Sequence, residues 1–217
     1  MALALFDLDD TLLDGDSASI WFDYLIANGI APASMQEEER QMIQLYYRGE
    51  LAMEEYMAFT LQPLIGRSVS EVGEWMQAVL QRDIVPRLFP QGQARLDWHR
   101  ERGDRIVLIS ASAENIVRPI AEHMGIADVI AINLEQENGY YTGQTQGVLS
   151  YQAGKVIRLH EWLRHNPNSL EDSYGYSDSI NDVPLLETVT NPWTINPAEK
   201  LSAVAMQMGW TIAKWTR

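Results

Sequence analysis

The sequence predicts an α/β protein, a mostly parallel sheet with helices on both faces, carrying a run of helices after its first strand. Three observations predict it. From residue 91 onward, short apolar runs alternate with helix-period segments, the pattern of strands joined by crossover helices. The stretch 16–85 holds helical patterns and no convincing strand. Polar residues also recur at the ends of the apolar runs, where a parallel sheet meets its ligands.

Each element has its own warrant. Residues 2–6 are short, apolar and ended by Asp7, which reads as a buried strand. Residues 17–27 form a helix with Ile20, Trp21, Tyr24 and Leu25 on one face and Asn28-Gly29 as its stop. A helical pattern over 35–59 is interrupted near Gly49. Ser68-x-x-Glu71 is a capping box. The helix it opens places Val72, Trp75, Met76, Val79 and Leu80 on one apolar face. Residues 91–102 are helical and stop at Gly103, and RIVLI at 105–109 is a buried strand. A helix over 113–124 stops at Gly125, with Pro119 expected to kink or shorten it. A strand at 128–132 precedes NGYYTGQTQGV, an antiparallel hairpin with turn glycines. Then come a helix over 154–165, with Val156, Leu159 and Leu163 inward, a strand over 172–177 leading into SDSIND, and a last short strand at 192–195.

Composition narrows the function classes. With 217 residues, the chain suits one α/β domain or a core with a smaller insertion. The absence of cysteine excludes disulfides, thiolate catalysis and cysteine zinc sites. A formal net charge of −14 disfavours nucleic acid and anionic membrane as partners, and is compatible with substrates bearing a cationic group. MALALF is too short for a signal-peptide core and lacks a basic leader, and no run reaches membrane-span length, so a cytoplasmic protein is expected.

The charge is concentrated at the start. FDLDDTLLDGD carries five aspartates in eleven residues. Asp7 and Asp9, two apart in extended chain, point the same way roughly 6.5 Å from one another. One can then attack while the other handles a proton, although an Asx-turn at a strand exit explains the pair equally well. An EF-hand does not fit, because counting from Asp7 its fifth, sixth and twelfth positions are Thr11, Leu12 and Ala18. Ser110 closes RIVLIS, where a hydroxyl beside a helix start can hold a phosphoryl oxygen. Ser112 is the better-placed helix cap. Lys155 opens a helix, against the macrodipole, and can reach a strand-end cleft. Asp178 and Asp182, one helical turn apart with Asn181 between them, suit a hard cation with water ligands, Mg²⁺ more than Ca²⁺. The histidines are too scattered for a metal set.

Together these segments resemble the haloacid-dehalogenase-like (HAD) phosphatases. DLDDTLL is similar to their first motif, RIVLIS to the second, Lys155 to the third, and SDSIND to the fourth. The resemblance implies a three-layer Rossmann-like core over 1–15 and 86–217, with 16–85 as a helical C1-type cap that selects the substrate. It also implies that Asp7 attacks phosphorus to form an aspartyl-phosphate, and that Asp9 protonates the leaving oxygen and then activates water. Asp7, the Asp9 backbone carbonyl and Asp178 would hold Mg²⁺, with Asp182 in support. Ser110 and Lys155 would hold phosphoryl oxygens, and Asn181 would orient water or phosphate.

The motif wording is similar to the subclass containing phosphoserine phosphatase, and closest to its bacterial members assigned to histidinol phosphate. Where phosphoserine phosphatases use a Glu for the substrate amine, this chain has Asp16, which also suits a helix cap. No arginine for a substrate carboxylate is assigned among Arg40, Arg48 and Arg67. The resemblance thus implies a phosphomonoester hydrolase acting on a small soluble metabolite. Histidinol phosphate is the first candidate and phosphoserine the second. Lipid phosphate is the third, with Trp210 and Trp215 as membrane contacts. Phosphotransfer to another alcohol, a receiver-type switch and a catalytically silent phosphate-binding protein are the alternatives.

Overall fold

A computed structural model describes residues 2–217. The chain enters through β1 (Leu3–Phe6), whose alternation sets the two faces of the sheet. Leu3 and Leu5 join an apolar cluster with Val107, Ile109 and Leu159, and Ala4 and Phe6 join the larger cluster on the other side. Four helices follow, α1 (Ser17–Ala27), α2 (Met35–Arg48), α3 (Met53–Thr60) and α4 (Val69–Val79). A π-helical turn at Leu80–Ile84 leads to α5 (Pro90–Glu101). The alternating part comprises β2 (Arg105–Ala113), α6 (Glu114–His123), β3 (Asp128–Glu137), β4 (Tyr140–Gln146), α7 (Ala153–His165), β5 (Tyr174–Ser177), α8 (Val183–Leu186), β6 (Asn191–Ile195), α9 (Glu199–Met208) and β7 (Thr211–Ala213).

The seven strands form one sheet in the order β4-β3-β2-β1-β5-β6-β7. Only β4 runs antiparallel to its neighbour, as the hairpin pattern predicts. β1 lies between β2 and β5, where the chain changes direction across the sheet. That is the switch point at which such sheets form a ligand crevice.

The helices before β2 have no separate core. Trp21, Phe22, Leu25, Met57, Val72 and Met76 share one buried cluster with Phe6, Leu108, Val117 and Ile120. The β3–β4 hairpin also clasps this segment. Gly66 N–H donates to the Tyr141 carbonyl, and Tyr141 N–H returns to Arg67 at 3.0 Å.

Several expectations shift in detail. β2 runs beyond 109, bulging between Ile109 and Ala113, so SAS belongs to the strand's irregular end. Pro119 lies inside α6, which continues to His123. α9 escapes the sequence pattern because only Leu201 and Ala205 are buried, too narrow a stripe to read. The edge strand β7 is only three residues long. Trp215, a membrane contact in the lipid reading, is instead buried and stacks on Tyr176. No helix among the described residues is long and apolar enough to cross a membrane.

His99 is structural, as its isolation in the sequence predicts. Its ring bonds Asp104 through Nδ1 and the Tyr176 hydroxyl through Nε2, both at 2.9 Å, and burial lowers its pKa.

Candidate active site

β1 stops because its next residues turn. Asp7 N–H still donates to the Tyr176 carbonyl of β5, which pins it at the sheet's carboxyl edge. The amides of Thr11, Leu12 and Leu13 then converge on the Leu8 carbonyl and coil the chain. Asp10 takes a left-handed φ of 52°, a conformation Asp tolerates better than most residues.

The buried Asp7 carboxylate meets Lys155 at 2.7 Å, and the same ammonium lies 2.7 Å from Asp182 Oδ2. Lys155 reaches this point through a tight turn into α7. A β-carbon on Gly154 would fall 2.0 Å from the Leu149 carbonyl oxygen, so only glycine fits there. Asp182 accepts a further bond from Ser177 Oγ at 2.7 Å. Burial alone would lower the Lys155 pKa, but the two carboxylates reverse this and raise it.

Asp9 is held apart from that ion pair. Its Oδ1 accepts from Ser17 N–H at 2.6 Å, and its Oδ2 accepts from Ser112 Oγ at 2.8 Å and Ser110 Oγ at 3.4 Å. The bulge at the end of β2 turns both hydroxyls toward one carboxylate. Asp178 is buttressed by Thr11, whose hydroxyl donates to Oδ1 at 3.0 Å and accepts from the Asp178 amide at 2.9 Å.

The structure therefore brings Asp7, Asp9, Ser110, Lys155, Asp178 and Asp182 to one edge of the sheet. Asn181 lies beside them, with its carboxamide donating to the Tyr46 carbonyl and accepting from Tyr151 and Gln152. It joins the end of α2 to the start of α7. Asp16 caps α1, accepting from Ser19 N–H at 2.7 Å. Its carboxyl is pushed up to about 8 by burial, with repulsion from Asp9.

Sequence reasoning gave no role to Thr11, Ser177 or Tyr47, and offered Ser112 only as a helix cap. Tyr47 donates to Asp10 at 3.1 Å. Thr11 and Ser177 lie inside the quoted motifs and Ser112 two residues past the second, and that proximity was the available signal. The three arginines pair with Glu37 (Arg40), Glu50 (Arg48) and Glu71 (Arg67), and Arg48 also lines a cleft beside Asp178 with Lys200.

Among the described residues, no three Asp, Glu, His or Cys side chains form a ready-made metal cage. Side-chain ligation of a divalent ion would come from Asp7 and Asp178. Two carboxylates with water and a substrate phosphate suit Mg²⁺. The electrostatics agree. Asp7 is pushed up to about 7 by burial despite Lys155, with repulsion from Asp182 and Asp9 adding to the rise. Asp178 is raised well above the usual carboxylate range by burial, then by Asp7, Asp10 and Asp182. Lys155 offsets only part of this crowding, and a hard cation would supply further positive charge.

Comparison with known proteins identifies the family. The family model of haloacid dehalogenase-like hydrolases matches residues 4–187. The chain is 34% identical over 215 residues to a histidinol-phosphatase of Neisseria meningitidis serogroup C (strain 8013), covering 97% of each. A crystal structure of a protein of unknown function from Bordetella pertussis Tohama I superposes with a TM-score of 0.91 at 38% identity, covering 98% of this chain and 97% of that one. A phospho-aspartyl intermediate analogue of phosphoserine phosphatase superposes at 0.73, covering 100% of this chain and 94% of that one, and at 18% identity shares the fold. The chain belongs to the haloacid dehalogenase-like hydrolase family and is a phosphatase of that family.

Proposed function

We propose that this protein is a Mg²⁺-dependent phosphomonoesterase acting through an aspartyl-phosphate on Asp7, with histidinol phosphate as its first substrate candidate. One observation carries the reading. Asp7 and Asp9 leave the same strand end, yet Lys155 grips the first while Ser17 and Ser112 hold the second. Two acids fixed by separate partners can take separate roles.

Asp7 attacks phosphorus, forming its own P–O bond as the ester P–O bond breaks. Asp9 gives its proton to the departing alkoxide, then removes one from the water that cleaves the acyl phosphate. Inorganic phosphate leaves and both acids are restored. Lys155 and Ser110 stabilise the phosphoryl oxygens, where charge spreads in the transition state. Asp7, the Asp9 carbonyl and Asp178 would hold Mg²⁺, with Asp182 in support through Lys155, and the ion would supply the remaining positive charge. Asn181 positions the end of α2 against the site.

Residues 16–85 act as the cap that selects the substrate, around the core formed by 1–15 and 86–217. Tyr47 on Asp10 and Tyr46 on Asn181 bring this segment to the chemistry. Asp16, near Asp10 and Glu39, is the acid placed to meet a substrate ammonium, whose positive charge would lower its raised pKa and ionise it. The full-length relation to a protein named histidinol-phosphatase supports that choice. Arg48 favours a second reading, phosphoserine, since it lines the cleft beside Asp178 and would pair with a carboxylate. The acidic surface and the length of the helices accord with a soluble metabolite in the cytoplasm.

The test is phosphate release from histidinol phosphate, phosphoserine, sugar phosphates and a lipid phosphate, with Mg²⁺ and with EDTA, and with an added alcohol acceptor. Mg²⁺-dependent release strongest with histidinol phosphate is expected. Release unaffected by EDTA overturns the metal assignment, and transfer to the alcohol in place of water overturns hydrolysis. No release from any ester would leave a silent phosphate-binding protein on this fold.

A further inference from the structure

Three buried side-chain polar atoms among the described residues have no hydrogen-bond partner, Tyr56 Oη and both Oδ1 and Nδ2 of Asn115. Folded interiors rarely leave such atoms alone. These three are gathered in one place, since Tyr56 and Asn115 line the same cavity. Its other lining residues include Trp21, Phe22, Met57 and Ser112. Ser112 is the hydroxyl that donates to Asp9. The cavity thus begins one side chain from the carboxylate that handles the leaving group.

The chemistry of the walls is specific. Asn115 offers an amide nitrogen as donor and a carbonyl oxygen as acceptor. Burial, then the Asp16 and Glu39 carboxylates, raise the Tyr56 phenol well above its ordinary range, so it remains an O–H donor. Around these groups lie aromatic and thioether surfaces that suit a flat ring. The free space now is about 20 Å³, room for one water. Trp21 and Phe22 belong to α1 and Tyr56 and Met57 to α3, whereas Ser112 and Asn115 belong to β2 and α6. Admitting a ring would require α1 and α3 to shift from α6.

We propose that this cavity is the leaving-group subsite, and that it takes a planar, uncharged nitrogen heterocycle with one N–H and one ring-nitrogen acceptor, of the imidazole class. The inference rests on the phosphomonoesterase reading and deepens it. The ring fills the aromatic cavity and pairs with Asn115 and Tyr56, while the ester end lies toward Asp9.

Two variants test it. Tyr56→Phe removes only the unpartnered oxygen, and Asn115→Leu removes both amide atoms at similar volume. Histidinol and ethanolamine are titrated calorimetrically into wild type and variants, and kcat and KM are measured for histidinol phosphate and phosphoethanolamine. Wild type should bind histidinol more tightly than ethanolamine, and each variant should bind histidinol about tenfold or more weakly. The preference in kcat/KM for the ring-bearing ester should fall by a similar factor, through KM. Tyr56→Phe should unfold at no lower temperature than wild type, because no hydrogen bond is lost. If Asn115→Leu fails to fold, Tyr56→Phe carries the test alone.

Variants that keep wild-type affinity for histidinol, or a wild type indifferent to the ring, overturn the inference and leave the cavity as a seat for structural water. The two readings fail separately, because binding is measured without turnover. Phosphate release without ring discrimination overturns the subsite alone. Ring-selective binding with no phosphate release from any ester overturns the phosphatase reading alone.

Discussion

Lys155 Nζ lies 2.7 Å from Asp7 Oδ1, although 148 residues separate them in the chain. The ammonium is buried, and its second partner at the same distance is Asp182. One cation thus neutralises part of a crowded acidic site and fixes the carboxylate proposed to attack phosphorus.

Lys155→Met should therefore lose both stability and activity. Removing one member of a buried ion pair costs about 3–5 kcal/mol, because the remaining charge is left without a partner. Urea unfolding should show that loss, and kcat/KM should fall about 100-fold or more through the lost phosphoryl contact. Adding Asp182→Asn should recover part of the stability and none of the rate. A single variant with wild-type kcat/KM would remove Lys155 from the mechanism.

Asp7→Asn should abolish turnover, with kcat down about 10⁴-fold or more, as for other lost nucleophiles. The fold should persist, because Asn keeps the shape and one acceptor for Lys155. Phosphate release together with circular dichroism checks both halves. A folded variant with wild-type activity would reassign the nucleophile.

Ser112→Ala tests the partner of Asp9. The hydroxyl at 2.8 Å helps fix where that carboxylate points. Its loss should lower kcat about tenfold for a misplaced proton-transfer group, with a smaller change in KM. Steady-state kinetics on one ester suffice. An unchanged kcat would mean that Ser17 N–H and Ser110 hold Asp9 without it.

Asp104 gives a pH prediction away from the site. Burial would raise its pKa, but hydrogen bonds from the Ala2 amide, His99 and Arg102 overcome this and hold it at about 2, against an ordinary 3.8. A lowered carboxyl stabilises the fold above the unfolded pKa, and that stability is lost as pH falls. Wild-type stability from this group should be complete above about pH 4 and disappear toward pH 2. Asp104→Asn should cost about 2 kcal/mol near neutrality and lose this part of the acid dependence. Unfolding curves at several pH values check it. Parallel acid limbs in both proteins would contradict the assignment.

How much of this was legible in the sequence differs by element. β1 and α1 were readable because apolar periodicity and stop residues are local signals. The first motif likewise placed Asp7 and Asp9 at a strand end, since two residues in one extended segment cannot be far apart. α9 and β7 were not readable, because so few of their side chains are buried.

The order of chemistry-bearing segments, and so the family, was determined by the sequence alone. Which groups touch was decided by the tertiary structure. Parallel pairing of β1 with β2 and β5 carries Ser110, Ser112 and Asp178 to Asp7 and Asp9. The bulge in β2 turns Ser112 onto Asp9, and the turn at Gly154 sends Lys155 between two acids. The cavity of Tyr56 and Asn115 exists only where α3 meets α6. Local pattern records what a residue can do. Its partners follow from strand register and helix packing, which depend on contacts far apart along the chain.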